Sequence, residues 1–522
     1  MSTSPLRMAR WATDLSLDDL PPRVRERAAL QHLGAAGIVR ALTDAPPAAA
    51  LFKAAGGRGA GPVIGGRQAP RRDAVRLHLA LAGWLGWSDS VLLGQPVLGG
   101  AVAAWAYAKG HTVGDVLRAT VAANEVAGRM GAATLLGPGA GLDGTWALTA
   151  GATTAIGLLD GLDADGLARA LSIALSQAPA PSRRVGLADG AARAAAWGQA
   201  GAVADDAVTL AKAGLDAPLD LLDDRDGPLA AACWVPLRHA FTGLGQAWFT
   251  GALAFRNDPL HVFAQVPVQA VMEILQRHIK AADKRLRADQ VDRVEVFTGA
   301  PGWLLAKHMD ALPGLTADRV VASIRRGIGW AVAGHDLSTA ALTPAALAPL
   351  ADRITHVARR VEVRHDYTRT AAMADHAVEV VAPLLSGLTR AELAHVGARA
   401  RAFHGHRLPA PGPMQLLQLV QQRPDRLLER LRYAPHDLAQ SRLDQWQDQL
   451  GVEVRVHTTR GGSWPERRLL PEGSPGWPWQ DTADRVRARF AQGDPERADA
   501  AVTLQSTPSG DEAEGWVEAL LA

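Results

Sequence analysis

Gly83-Trp84-Leu85-Gly86-Trp87-Ser88-Asp89-Ser90-Val91-Leu92-Leu93-Gly94-Gln95-Pro96 is the stretch on which the reading of this chain turns. Its glycines and proline mark it as a connection between periodic segments. Asp89 and Ser90 can orient a substrate or a partner side chain, and an Asp-Ser pair can equally cap a helix. Gln95 can hydrogen-bond but cannot act as a general base.

Outward from this loop, from Leu17 to about Asp258, Ala, Leu and Val recur at spacings of three and four, with Gly or Pro at the joins. Asp18-Asp19-Leu20-Pro21-Pro22 opens the first helix, with acids and prolines where a helix start favours them. Segments such as Thr112 to Met130 and Arg193 to Ala213 carry so much Ala and Gly that helix axes can approach closely. Period-two alternation with β-branched residues appears later, at Val291 to Phe297, Ile354 to Val363 and Val452 to Thr458. The expected fold is a mainly α large domain with an inserted α+β lid domain. Residues 1–258 begin the helical domain, 259–465 form the lid, and 466–522 return to the helical domain.

A chain of 522 residues exceeds the usual size of one hydrophobic core, so two domains are expected. Lys plus Arg number 55 against 53 Asp plus Glu, so no large net field recommends nucleic acid as a partner. Cys233 is the single cysteine, which rules out an intrachain disulfide and a cysteine-cluster metal site; it reads as a small core residue. His404 and His406 lack a third placed ligand and read as a polar loop. Met1 to Asp19 has no apolar core of signal-peptide length, and the run Gly99 to Ala108 is too short to span a bilayer. A cytoplasmic protein, with no membrane partner, is therefore expected.

The opening loop resembles one in the MmgE/PrpD family, which includes 2-methylcitrate dehydratase and cis-aconitate decarboxylase. There it reads roughly H-x-x-D-F-D-D-T, then H-P after a short gap. Here Gly83 stands for the first His, Gly86 for the first Asp, Ser88 and Asp89 for the next two, Ser90 for Thr, and Gln95-Pro96 for His-Pro. Val121 to Arg129 is similar to the family's tyrosine-glutamate-to-arginine helix, with Asn124 for Tyr. Gly141-Leu142-Asp143-Gly144-Thr145 resembles its G-F-H-P-T loop, with Asp143 in place of the histidine. Gly161-Leu162-Asp163 with Ala170 to Gln177, and Ala211 to Leu215, continue the likeness, and Glu472 to Pro478 resembles its late G-x-P-x-x-P. Tyr367 to Leu450 departs from the family as an added segment that reads as helices on the lid, broken at Pro409 to Pro413.

The resemblance implies a homodimer whose chemistry needs no metal or organic cofactor. A proton moves next to a carboxylate while cationic groups hold the acid. In that scheme His261 and Asp89 are the candidate catalytic residues. His261 reads equally as a structural histidine at a domain junction. Ser90, Gln95, Asp143, Arg193 and Arg256 are the candidate substrate contacts, with Arg193 and Arg256 standing where the family has lysines. Arginine grips a carboxylate with a planar fork and is a poor proton shuttle, so these changes favour binding over proton transfer. Two functions follow: a lyase or isomerase acting on a small polycarboxylate or related acid, or a catalytically silent relative that binds a ligand or partner.

Overall fold

The alanine and glycine content of the first half has a direct structural outcome. In the computed structural model, which describes residues 3–137, 144–180, 185–186, 190–410 and 429–522, helices Arg71–Leu85 and Gly190–Lys212 lie close together. A Cβ on Gly201 would fall 2.7 Å from a Val75 methyl, and one on Gly198 would fall 2.9 Å from the Arg76 carbonyl. Helix Leu98–Ala106 approaches its neighbours in the same way: a Cβ on Gly100 would sit 2.3 Å from that of Ala123. Around these run Pro22–Ala41, Val113–Ala133, Thr145–Leu159 and Ala164–Ser176. Thr112 and Asp115 start the Val113–Ala133 helix with a reciprocal capping box.

That helix carries the Glu125 and Arg129 read from the sequence, and both are buried struts. Glu125 accepts from Arg129 at 2.7 Å, from the Phe249 and Thr250 amides at 3.0 and 2.8 Å, and from the Thr250 hydroxyl at 2.9 Å. Every lone pair has a donor, so this ion pair fastens the 249–250 turn to the helix core. Asn124 is likewise spent on Gln31, donating to its Oε1 at 2.7 Å.

Two short hairpins flank helix Arg71–Leu85: β1 (Gly61–Val63) with β2 (Arg67–Ala69), and β3 (Ser90–Val91) with β4 (Gln95–Pro96). A larger sheet lies in the second half of the chain and contains β5 (Val291–Thr298), β6 (Val361–His365), β7 (Val452–Thr458) and β8 (Ser463–Arg468) in the order β6-β5-β7-β8. β5 runs parallel to β6, with Val294 opposite Val361, and antiparallel to β7, with Val296 opposite Val454. The valines of β5 and β7 are buried, and helix Val262–Ala282 packs on β7 and β8.

The fold is thus mainly helical with few small sheets. Two readings change at this level. Residues 354–358 are not strand, because Ala351–Ala358 is a helix that buries Ile354 and Val357 one turn apart, and β6 begins only at Val361. The Pro22–Ala41 helix is preceded by another, Ser4–Asp14. In the added segment, Tyr367–Leu385 and Arg390–His404 are helical, and 411–428 lie outside the described residues.

Helices Trp479–Ala491, Pro495–Gln505 and Ala513–Leu521 bring the chain back to its beginning. Arg40 donates to the Phe490 and Leu520 carbonyls at 3.1 and 2.8 Å, the Gly65 amide donates to Leu521 at 2.8 Å, and Thr112 bridges to Glu512. Among the described residues no single helix is long and apolar enough to cross a membrane.

Candidate functional site

Helix Arg71–Leu85 ends at Gly86, whose φ of 62° is the left-handed cap that glycine adopts without strain. The chain then enters β3, turns through Leu92 and Leu93 at φ 40° and 62° and Gly94 at φ 100°, and returns along β4. Two successive non-glycine residues in the left-handed region cost about 1–3 kcal/mol each, so the surroundings must hold the turn. The Leu93 amide is held by Asp448, whose Oδ1 accepts from it and from Trp446 Nε1, both at 3.0 Å. At the other end, Ser90 exchanges backbone hydrogen bonds with Ala254 at 3.0 and 2.8 Å.

Beneath this loop Arg193, Arg256 and His261 border one cavity of about 30 Å3, closed by Gly86, Gly94 and Trp197 among others. That volume holds a water molecule or two and nothing the size of a polycarboxylate. The two arginines are held differently. Arg193 donates from Nε to Gly83, from Nη1 to Gly186 and from Nη2 to Trp84, at 2.7, 2.9 and 2.6 Å, so it acts as a strut for the end of helix Arg71–Leu85. Arg256 makes only longer contacts, to the Gly86 and Gly94 carbonyls at 3.1 and 3.4 Å, and its buried Nε has no acceptor among the described residues. Burial lowers its guanidinium to about 10, opposed by the charges of Asp448 and Asp89, and it remains a cation at neutral pH.

His261 caps helix Val262–Ala282, its Nδ1 accepting from the Phe263 amide at 3.3 Å. Burial first, then the positive charges of Arg256 and Arg193, push its imidazole down to about 3. It is therefore neutral, and with Nδ1 occupied as an acceptor the ring proton sits on Nε2. In this state Nε2 donates a hydrogen bond and cannot take up a proton.

The other expected contacts lie elsewhere. Asp89 does not join His261: wholly buried, it faces Gly34 and pairs through Oδ1 with Arg489 Nη2 at 3.3 Å, which corrects the expected grouping. The cause is its position on the inner side of the loop, against the returning helix Trp479–Ala491. Its Oδ2 has no partner, and burial raises its carboxyl against the pull of Arg489. The Ser90 hydroxyl is buried without a partner, and Gln95 packs over Gly131; neither borders the cavity. Asp143 lies outside the described residues. Cys233 is a core residue whose thiol burial pushes up to about 12.

Two residues that organise this region were not read from the sequence. Asp448 comes from the added segment, and Arg489 from the last part of the chain, where it also donates to the Arg256 carbonyl and lies 5.7 Å over the Trp87 ring. Neither stands in a motif, so no local signal announced them. The glycine at 83 is explained by its neighbour: a Cβ there would fall 2.8 Å from the Cβ of Trp197, so the indole stands where a side chain would begin.

Fold and site together define a mainly helical protein that carries a buried guanidinium cavity under a strained, glycine-bracketed loop. Residues 6–234 match the MmgE/PrpD N-terminal domain, so this part of the chain is similar to the MmgE/PrpD family. The search of curated proteins matched none.

Proposed function

We propose that this chain is a binding member of the MmgE/PrpD family, holding a small acid at Arg256 without turning it over. The observation that carries the reading is His261. Among the described residues around the cavity it is the one group whose ordinary value lies near neutrality, and burial with the two arginines holds it neutral, with Nδ1 occupied. Arg256, with its unpartnered Nε, supplies the charge, and His261 Nε2 supplies a neutral hydrogen bond. Entry of an acid requires the sheet-bearing segment 259–465 to move as a lid, because the closed cavity admits only water. The family resemblance adds a homodimer to this proposal.

The test is calorimetric titration with citrate, 2-methylcitrate and cis-aconitate, followed by a product assay on the same samples. Saturable binding without conversion supports the reading. Replacing Arg256 by Ala should then weaken binding by about 1.5–3 kcal/mol, the worth of a charged hydrogen bond. Absence of binding to any of the three acids counts against it. Conversion at ordinary enzymatic rates, about 1–1000 per second, would replace it with the second reading, a cofactor-independent lyase or isomerase acting on a small polycarboxylate. The observation favouring that alternative is Asp89, a buried carboxyl raised towards its protonated form and carrying a free oxygen.

A further inference from the structure

A second space, distinct from the arginine cavity, opens between the helical body and the segment that precedes β6. It is a cleft of about 550 Å3, in the range that encloses a drug-sized ligand. Trp84, Gly190 and Ala191 form one wall; Leu342, Leu347 and Ala348 stand on the other. A hydrogen bond ties the walls, the Gly190 amide donating to Asp318 Oδ2 at 3.0 Å. Alanines on both sides, with Gly190 on one, leave the space open, and the indole and leucines make it apolar.

The charges at its edge are unequal. Asp318 is engaged by the Gly190 amide, whereas Arg319 has no carboxylate within ion-pair distance among the described residues. Its Nη1 donates to the Pro313 carbonyl, and its buried Nε has no acceptor among the described residues. An apolar cleft beside an uncompensated guanidinium selects a molecule with an apolar body and one anionic end. We infer that this cleft binds an aryl or alkyl monocarboxylate, its ring or chain between Trp84 and the leucines and its carboxylate at Arg319. This ligand differs in kind from the polar acid proposed for Arg256, and the two sites stand or fall separately.

The probes are 1-naphthaleneacetate and its neutral counterpart 1-naphthaleneethanol, titrated calorimetrically into the full chain. The acid should bind saturably and about tenfold or more tighter than the alcohol, as a charged hydrogen bond of about 1.5 kcal/mol implies. Arg319→Gln should erase that preference while the ring still binds. Ala348→Trp fills the cleft from one wall and Ala191→Trp from the other, both at exposed positions; each should weaken both probes by about tenfold or more. A large excess of citrate should leave naphthaleneacetate in place. No saturable binding by the wild type, wild-type affinity in either folded tryptophan variant, an unchanged acid preference in Arg319→Gln, or displacement by citrate would each overturn the inference.

Discussion

Replacing Arg489 by Met tests whether the loop is held from the far end of the chain. The guanidinium is 4% exposed and the Asp89 side chain wholly buried, so the substitution strands a carboxylate in the core and removes one donor to the Arg256 carbonyl, leaving the Trp87 indole as the other. Breaking a buried pair from one side costs about 3–5 kcal/mol, because the remaining charge is uncompensated. Asp89 can reduce this by keeping its proton, since burial already raises its carboxyl. The sign follows. Between the unfolded value of about 3.9 and the raised folded one, the folded variant holds a proton that the unfolded chain lacks, so acid favours folding. The deficit of Arg489→Met should therefore be largest near pH 8 and shrink towards pH 5.5, by at most about 1.4 kcal/mol per pH unit. The double variant Arg489→Met, Asp89→Leu should return to within about 1.5 kcal/mol of wild type, as apolar replacements of buried pairs do. Urea unfolding followed by circular dichroism at both pH values measures all three. A single variant that loses less than about 1 kcal/mol at pH 8, or whose deficit is flat with pH, would refute the reasoning.

Three further outcomes are expected. His78 is wholly buried and its imidazole is pushed by burial to about 3, so the stability it contributes is complete above the unfolded value of about 6.5 and is lost as pH falls from there. Between pH 7.5 and 5.5 the wild type should lose about 1.4 kcal/mol more than His78→Gln, and equal losses in chemical denaturation would count against this. Gly83→His should lower the melting temperature and produce no turnover, because its Cβ meets Trp197; turnover in that variant would show that the family chemistry needs only the missing ring. Arg193→Ala should cost about 3 kcal/mol or more in folding stability, because three buried carbonyls each lose a charged donor, and calorimetry of a merely weakened ligand with unchanged stability would contradict its role as a strut.

What was legible in the sequence was local. Periodic Ala, Leu and Val announced the first-half helices, and alternating valines announced β5 and β7, because each buried face repeats within a few residues. Ile354-Thr355-His356-Val357 satisfied the strand period and the helix period together, and packing chose the helix. The grouping of Arg193, Arg256 and His261 around one cavity rested on the family resemblance, since no spacing connects positions so far apart. Asp448 and Arg489 left no trace, for a lone charge in an ordinary helix or loop says nothing about which distant loop it will meet.

The return of the last helices has a consequence for how the protein is made. Asp89 and Arg489 are separated by 400 positions, and Arg40 and Leu520 by 480. At about 5–20 residues per second, a ribosome needs roughly 20 to 80 seconds to travel from the first member of the Asp89 pair to the second. Throughout that interval the first-half helices exist without their final cover and the Asp89 carboxylate lacks its ion-pair partner, and for most of it the turn at Leu92 and Leu93 lacks the Asp448 acceptor. Completion of the loop is thus an event that follows synthesis of the sheet, and the nascent chain presents apolar surface for chaperones over nearly its whole passage through translation.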